Sequence, residues 1–280
     1  MTLDVEHLKS WIGAARESED EISPRLANSL AAVLDEPVTL QPGDPAPAGV
    51  HWCLSPEIAP MQRLGPDGHP ARGDFLPPVP LPRRMWAGGE LAFHGDFRVG
   101  DLVRRHSRVA DVSVKEGRTG TLCFVEVRHD YHSPRGLALS ERHDIVYRGI
   151  DAPPGATPDP AAQPVPDARL TIDATPVLLM RYSAATFNGH RIHYDREYCR
   201  SEEHYPGLIV HGPLQATYLL RMAGMMMNRP LPARFTFRGT APLFDGGTFS
   251  VNGCHASDTA QADLWIADAR GVVTMRASAA

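Results

Sequence analysis

The stretch that most constrains the fold is DAPPGATPDPAAQPVPDA, from Asp151 to Ala168, where Pro, Ala and Gly dominate and no hydrophobic period continues. Such a composition is typical of an extended linker. It divides the 280 residues into a first half, 1–150, and a second half, 169–280, and each half has the size of an ordinary domain. The sequence therefore predicts two folded halves joined by a linker over residues 151–168.

The two halves carry the same kinds of elements. In the first half, VEHLKSWIGAA and SPRLANSLAAVLD predict helices, the second capped by Ser23, and three later runs rich in Val, Ile, Phe and Tyr predict antiparallel strands. In the second half, ATPVLLMRYS and the later segments predict strands and a hairpin. GPLQATYLLRMAGMMMN predicts a helix with Leu214, Tyr218, Met222 and Met225 on its core face. The pattern favours an α+β fold in which an antiparallel sheet wraps a helix, present twice.

Composition and charge exclude several classes of protein. Hydrophobic residues make up 42% and charged residues 22% of the chain, values typical of a globular protein. The formal charge of −5 argues against nucleic-acid binding, and no apolar run approaches the ~20 residues that span a bilayer. The four cysteines are scattered, and the N-terminus lacks a signal-peptide layout. We therefore expect a cytoplasmic protein with reduced thiols and neither a nucleic-acid nor a membrane partner.

A polar cluster lies in TFNGHRIHYD, residues 186–195. One interpretation is an ordinary polar turn, since Asn-Gly is a frequent turn pair. A second is a zinc site formed by His190 and His193 with Asp195 or His204, although the spacing matches no closed-site pattern and no thiolate pair accompanies it. General acid–base chemistry is a third, because histidine titrates near neutrality, and binding without chemistry is a fourth. Of these, a metal site is the one we do not expect.

The start of the next helix, HGPL, favours the acid–base interpretation. Gly212 is the predicted N-cap and Pro213 the first helical residue. The amides of Gly212, Leu214 and Gln215 then point off the helix end and form a site for negative charge. A histidine beside such donors suits α-proton chemistry on a thioester, because the donors stabilise the enolate oxygen while the imidazole handles the proton or the water.

With FNGHRIHYD followed by YPGLIVHGPL, the chain resembles the MaoC-like hot-dog proteins, the family of R-specific enoyl-CoA hydratases. The family motif runs Gly-Asp-x-Asn-Pro-x-His and precedes a Gly-x-x-x-His-Gly helix start. In the first half, GPDGHPARGDFLPPVPLPRRMWAGG, FRVGD and KEGRTGTLCFVEVRHDY are similar to one subgroup. This subgroup comprises the fatty-acid-synthase-like dehydratases that resemble mesaconyl-CoA and itaconyl-CoA hydratases, and FRGTAPLFDGG near the end fits it as well.

The resemblance covers nearly the whole chain. It implies a double hot-dog fold, with a dehydratase-like hot-dog over 1–150 and a MaoC-like hot-dog that carries the chemistry over 169–280. It also implies an acyl-CoA substrate and no cofactor apart from the coenzyme A of that substrate. A homodimer is the expected assembly.

Carried over to this chain, the resemblance makes His193 the catalytic histidine and Gly212 the residue whose N–H meets the thioester carbonyl. Asn188 falls where the family has its catalytic aspartate, five residues before the histidine. An amide cannot accept a proton as a carboxylate does. We therefore expect Asn188 to hold the water and His193 to carry the proton, with Asp195 or Glu197 as candidate sources of the missing carboxylate.

Four side chains are expected to bind the substrate. Arg83 and Arg84 suit the distal carboxylate of a dicarboxylic acyl group, because guanidinium groups pair bidentately with carboxylates. Their alternative is an ion pair at the surface or between the halves. Arg191 and His211, next to the motif residues, complete the set.

The expected activity is that of a hydro-lyase that reversibly adds water to an enoyl-CoA thioester lying between the two halves. Mesaconyl-CoA or itaconyl-CoA, giving citramalyl-CoA, are the favoured substrates. The alternatives are a 3-hydroxyacyl-thioester dehydratase of fatty-acid metabolism, a hot-dog acyl-CoA thioesterase and a non-catalytic acyl-CoA-binding protein.

Overall fold

Ten antiparallel strands form one continuous sheet in the computed structural model, which describes residues 3–117, 120–149, 160, 162–256 and 261–280. The first half contributes α1 (Val5–Lys9), β1 (Ala15–Glu21), α2 (Pro24–Val33), β2 (Arg83–Phe93), β3 (Leu102–Gly117), β4 (Gly120–Ser133) and β5 (Gly136–Arg148). The second half contributes β6 (Ala168–Asp173), α3 (Pro176–Thr186), α4 (Arg196–Ser201), α5 (Gly212–Met226), β7 (Arg234–Gly239), β8 (Thr248–His255), β9 (Ala262–Asp268) and β10 (Val273–Ala279).

The strand order keeps the two halves side by side. It runs β1-β3-β4-β5-β2-β7-β10-β9-β8-β6, so β2 and β7 join the halves. Their ladder pairs Gly88 with Arg238 at one end and Ala92 with Arg234 at the other. Residues 151–159 and 161 of the predicted linker, and residue 150 before it, lie outside the described residues, so the domain boundaries stay a prediction.

The helix α5 occupies the centre of the second half. Pro213 lies in its first turn, and Leu214, Tyr218 and Met222 are at most 2% exposed, packed against the strands that curve around the helix. Met225 was predicted to share this core face, but its side chain is 60% exposed. It lies one residue from the helix end.

The helix α2 begins as the sequence predicts. The Ser23 hydroxyl accepts a hydrogen bond from the amide of Leu26 at 3.2 Å, which satisfies one of the helix's unpaired donors. Leu26 and Leu30 are buried in a core cluster that also holds side chains of α5 and of strands from both halves. The two halves therefore share one hydrophobic core as well as one sheet.

The segment ATPVLLMRYS, predicted as a strand, forms the helix α3 instead. The Thr175 hydroxyl caps it by accepting a hydrogen bond from Leu178 N at 3.1 Å, and a proline opens its first turn. Leu179 and Tyr182, three residues apart, are buried, whereas Met180 is exposed, which is the helical period. Cap chemistry therefore outweighs the strand propensity of the apolar run, and the helix delivers the motif loop to the site.

Two further features bear on the environment of the protein. None of the helices formed by the described residues has the length and apolar character needed to cross a membrane. Cys53, Cys123 and Cys199 are buried, Cys254 is partly buried, and all four are free thiols, as predicted.

Candidate active site

Four histidine rings form a row at the junction of the two halves, here called the imidazole row: His69, His190, His193 and His211. The ring centroids are 4.1 Å apart between His69 and His190, 5.5 Å between His190 and His193, and 3.5 Å between His193 and His211. Three rings belong to the second half and His69 to the first. The site therefore draws on both halves, and not on the second half alone.

His193 is held as a neutral base. It ends a short 3₁₀ turn, Arg191–His193, and its Nδ1 lies 2.7 Å from the carbonyl oxygen of Ile209. A carbonyl oxygen only accepts hydrogen bonds, so Nδ1 carries the hydrogen and Nε2 keeps a lone pair. Burial lowers the pKa of His193 to about 3, against the opposing effect of the hydrogen bond to Ile209. At neutral pH the ring is therefore uncharged and able to accept a proton.

His211 lies beneath His193 and does not line an open surface. The two rings are stacked with an interplanar angle of 16°, His211 has no exposed surface, and its Nε2 is 2.9 Å from the hydroxyl of Ser183. The expected substrate-binding role of His211 is not supported, because the ring is buried on all sides. It serves as a packing surface that fixes the plane of His193.

The N-terminus of α5 lies beside this stacked pair. His211 is the N-cap and Gly212 the first helical residue, so the predicted N-cap is one residue too late. Gln215 N donates to His211 O at 3.1 Å, which removes one of the three expected donors. The amides of Gly212 and Leu214, in the first turn, have no acceptor within the helix and remain available to an anionic oxygen.

Glycine is required at position 212 by a close neighbour. A Cβ atom at Gly212 would lie 2.7 Å from Cε3 of Trp86, a residue of β2. Trp86 in turn stacks on Phe237 with the ring centroids 4.6 Å apart. Trp86 of the first half therefore packs closely against the first residue of α5.

Asn188 shapes the motif loop. Its side-chain oxygen accepts a hydrogen bond from the backbone amide of His190 at 3.0 Å. The backbone amide of Asn188 donates to the carbonyl oxygen of Ser183 at 2.8 Å. The side-chain oxygen therefore already has one protein donor, and the expected role of Asn188 in holding a water stays a prediction. Asn188 positions His190 within the imidazole row.

The two candidate carboxylates of the second half are not in the row. Asp195 caps α4 by accepting from Tyr198 N at 3.0 Å, and it pairs with Arg191 at 2.8 Å. Glu197 is exposed. Neither residue supplies the missing carboxylate, because Asp195 is engaged in local structure and Glu197 faces solvent.

The carboxylate comes instead from the first half, through a segment here called the Asp67 loop (residues 65–70). Oδ2 of Asp67 lies 3.1 Å from Nδ1 of His69, and the His69 amide donates to Oδ1 at 3.1 Å. The stretch GPDGHPARGD, residues 65–74, carries part of the family resemblance, and no chemical role was predicted for it. Its Asp-x-His spacing was the available signal for a second acid–base group.

The Asp67 loop is docked on the motif loop by backbone contacts. The amide of Arg191 donates to Asp67 O at 2.9 Å, and its Nη1 donates to Pro66 O at 3.0 Å. Gly68 has φ +86°, and a Cβ there would overlap the carbonyl oxygen of Gly189. Only glycine meets both conditions. Arg191, expected to bind substrate, therefore holds the two halves together at the site.

Asp67 and His69 of this loop have different protonation states at neutral pH. Burial raises the pKa of Asp67, but the hydrogen bonds from His69 and the charge of Arg84 outweigh it and bring the pKa to about 2. Burial and Arg84 lower the pKa of His69 to about 4, against the opposing effect of Asp67. At neutral pH an ionised Asp67 therefore accepts a hydrogen bond from Nδ1–H of a neutral His69.

The zinc site considered from the sequence, His190 and His193 with Asp195 or His204, does not form. Asp195 pairs with Arg191 and His204 is exposed, so neither joins His193. Another group does come together: Asp67, His69 and His190 each place one potential ligand atom within 4.8 Å of the others. Imidazole and carboxylate are zinc ligands, but the positive charge of Arg84 beside them disfavours a cation. The absence of a metal stays a prediction.

The two neighbouring arginines of β2, Arg83 and Arg84, lie in different environments. Arg83 is 4% exposed, with its Nε 2.7 Å from Oε2 of Glu203, so it forms the ion pair between the halves that was the alternative interpretation. Arg84, on the other face of the strand, is half-buried, and its charge acts on Asp67, His69 and His190. Within the described ranges Arg84 forms no ion pair. It is the cation that faces the site.

The model of the family "Hydroxyacyl-thioester dehydratase type 2" matches residues 49–245, which contain the whole imidazole row. The chain belongs to this family. It is 44% identical to the mesaconyl-C(4)-CoA hydratase of Chloroflexus aurantiacus over 244 residues, 86% of this chain and 87% of that protein. A MaoC-like dehydratase of Phytophthora capsici superposes with a TM-score of 0.70 at 16% identity and covers 99% of this chain and 98% of its own.

A Mycobacterium tuberculosis protein with a double hot-dog fold superposes on this family member with a TM-score of 0.57 at 16% identity and covers 96% of each chain. The double hot-dog fold predicted from the sequence is therefore confirmed. The predicted enzyme class, a hydro-lyase, is confirmed by the family membership. The roles of individual site residues stay predictions, and the geometry described above is their basis.

Proposed function

We propose that the protein hydrates an enoyl-CoA thioester and that its substrate is mesaconyl-CoA, with citramalyl-CoA as the product. The observation that carries the reaction type is the neutral His193, stacked beside the open N-terminus of α5. The observation that favours the substrate is the 44% identity to a mesaconyl-C(4)-CoA hydratase. A base and an anion site next to one another are what conjugate addition of water requires.

In this reaction the oxygen of a water molecule forms a bond to the β-carbon as one of its O–H bonds breaks. Nε2 of His193 takes that proton. The π electrons of the double bond move onto the thioester, and the developing enolate oxygen accepts hydrogen bonds from the amides of Gly212 and Leu214. His193 then returns the proton to the α-carbon, so atoms and charge balance without a cofactor.

Arg84 gives the site a preference for a dicarboxylic acyl group. A carboxylate attached to the β-carbon of the substrate enters the site beside the added water, in the region where Arg84 acts on the imidazole row. An arginine without an ion-pair partner is suited to such a carboxylate. The helix end stabilises an enolate only when the double bond is conjugated with the thioester, which favours mesaconyl-CoA over itaconyl-CoA.

The test is a panel of CoA thioesters, followed by mass spectrometry for the gain of one water. Mesaconyl-CoA should turn over fastest, itaconyl-CoA and crotonyl-CoA more slowly, and the reverse reaction should be seen with 3-hydroxybutyryl-CoA. A thiol reagent reports free coenzyme A. Release of coenzyme A without a hydrated product would instead make the protein a thioesterase, and saturable binding without turnover would make it a binding protein.

We also propose that the protein works in the cytoplasm as a homodimer. Four free thiols suit a reducing compartment, and the assembly is expected from the family resemblance. Size-exclusion chromatography with light scattering tests the assembly. A mass near 30.6 kDa, that of one chain, would contradict it.

A further inference from the structure

The proposed hydration leaves one atom without a protein partner, and this inference rests on that proposed function. A water molecule has two hydrogens. His193 takes one, while the other stays on the oxygen and becomes the hydroxyl hydrogen of the product. An acceptor for this second hydrogen would fix the direction in which the oxygen lone pair points at the β-carbon.

Two candidate acceptors of the second half already have protein donors, and the ring of His190 is the remaining rival. The side-chain oxygen of Asn188 receives the amide of His190. Asp195 is shared between Arg191 and the first turn of α4. The first half offers the Asp67 loop, whose His69 has one ring nitrogen bonded to Asp67 and 17% of its side chain open to solvent.

His69 and His193 both neighbour His190 in the row. The ring centroid of His190 is 4.1 Å from that of His69 and 5.5 Å from that of His193. A single water that makes two hydrogen bonds of ordinary length spans about 4.6 Å, so the proposal requires a water that lies beside His190 and reaches both rings. The charge of His69 also lowers the pKa of His193.

The tautomer of His69 is set by its neighbour. The ionised Asp67 accepts from Nδ1–H of His69, so Nε2 carries a lone pair and can only accept. The docking of Gly68 against Gly189 and of Arg191 on the loop backbone makes the placement of this ring rigid. Rigid placement of a neutral acceptor is what orientation of a water requires.

We propose that His69 is a second catalytic residue: its Nε2, oriented through Asp67, accepts the hydrogen that stays on the added water while His193 takes the other. Asp67 acts through His69 and is a positioning residue. The active site is thus completed by the first half, and the carboxylate missing at position 188 is replaced by a carboxylate–imidazole pair from a different loop.

The experiment compares four variants with the wild type on the best enoyl-CoA of the panel, with circular dichroism and melting curves as the check of folding. His69→Ala should lower kcat by about 10²-fold with KM within about threefold of wild type, and free imidazole should restore part of the rate. Asp67→Asn should lower kcat by about tenfold, the scale expected for loss of an orienting partner. Asp74→Asn, at an exposed aspartate four residues after the Asp67 loop, is the matched control and should leave kcat unchanged. His190→Gln tests the rival acceptor.

The pH profile separates orientation from mere structure. His69 must be neutral to accept, so the acid limb of kcat reflects its pKa, lowered by burial and Arg84 to about 4. Asp67 opposes that lowering, so Asp67→Asn should move the acid limb to lower pH. A structural defect would reduce kcat and leave the limb in place.

Three results would overturn the inference: wild-type kcat in His69→Ala, a loss in folded His69→Ala that imidazole does not relieve, or a loss in His190→Gln alone. A rate abolished by a chelator and restored by Zn²⁺ would also overturn it and make the cluster a metal site. Failure of the proposed function is seen separately, because the wild type itself would then hydrate no thioester on the panel.

Discussion

Two buried polar clusters of this molecule differ in how far their polar atoms are supplied with hydrogen-bond partners. Glu141, in β5, is 3% exposed, and each of its oxygens has a donor: Trp52 Nε1 at 2.9 Å and the Tyr131 hydroxyl at 2.9 Å. In the imidazole row, His69 and His193 each have one ring nitrogen paired. No partner for the second nitrogen is found among the residues that the structure describes.

The difference separates structure from chemistry. A buried polar group whose bonding capacity is filled contributes to a unique core and offers nothing to a ligand. A buried group that is half filled is costly to fold and is worth that cost where a substrate completes it. Burial disfavours the charged form in both clusters, since it raises the pKa of Glu141 and lowers that of His193 to about 3. Only the row keeps a lone pair to use.

The sharpest test of this contrast removes the base. His193→Ala should lower kcat by about 10³-fold, within the range for a positioned general acid–base group. The fold should survive, but the melting temperature should fall, because the variant loses the hydrogen bond to Ile209 and the stack on His211. Steady-state kinetics and a thermal melt check both halves of the statement. Near-wild-type turnover would remove His193 from the mechanism.

Arg84 tests the substrate assignment. Arg84→Gln should reduce kcat/KM for mesaconyl-CoA by about 10- to 100-fold, the value of one lost charge-assisted hydrogen bond of about 1.5–3 kcal/mol. Crotonyl-CoA, which has no second carboxylate, should be affected about threefold or less. Equal losses on both substrates would show that Arg84 acts on the imidazole row and not on the acyl carboxylate. Arg238→Gln, an exposed arginine on the adjacent β7, is the control.

Asn188→Asp adds a charge to the unpaired row. The new side chain can still accept the His190 amide, but its negative charge raises the pKa of the neighbouring imidazoles toward their ordinary range. The base must be neutral, so the acid limb of kcat/KM should move to higher pH and the rate near pH 5 should fall about fivefold. A variant with equal or higher rate and an unshifted profile would show that this position tolerates the aspartate of the wider family.

Glu141→Gln tests the other cluster, where we expect an effect on stability and not on the rate. It places an amide donor against Trp52 or Tyr131, so the free energy of unfolding should drop by about 1–3 kcal/mol, while kcat should stay within about threefold. Chemical denaturation and kinetics on the same preparation measure both. A fall in kcat of more than about threefold with an unchanged free energy of unfolding would show that Glu141 takes part in the chemistry, as the imidazole row does.

The two clusters also have opposite pH dependence. Glu141 has a raised pKa, so its contribution to stability is lost as pH rises above 4.5 through the folded value. His193 has a lowered pKa, so its contribution is present above 6.5 and is lost as pH falls toward about 3. Below pH 6, His193→Ala should reduce the slope of stability against pH by about 1.4 kcal/mol per unit. Melting curves from pH 4 to 8 measure it, and an unchanged slope would contradict the burial of a neutral ring.

Local signals in the sequence were enough for some elements and not for others. The cap at Ser23 and the apolar faces of α2 and α5 are encoded within a few residues, so these helices are predicted correctly. The strand predicted for ATPVLLMRYS, residues 174–183, is wrong because its Val-Leu run looks like a strand and the Thr175 cap is the weaker signal. Cap chemistry before a proline decides such cases.

The candidate site shows the same limit. Neighbouring residues of a strand point to opposite faces, so Arg83 and Arg84 could not both reach one carboxylate, and this could have been read from the strand pattern. The position of the Asp67 loop could not be predicted from the sequence in this way. Its position depends on two glycines, Gly68 and Gly189, that meet only after both halves have folded. Spacing along the chain carries no trace of such a contact.

The ladder between β2 and β7 has a consequence for how this enzyme can be encoded. Because the halves are joined edge to edge as well as by the chain, a break between residues 149 and 160 would leave the sheet continuous, and two separate polypeptides could rebuild the site. Either half made alone would expose a bare strand edge, which is a template for aggregation. Balanced production of both pieces is therefore the condition under which such a split gene would yield active protein.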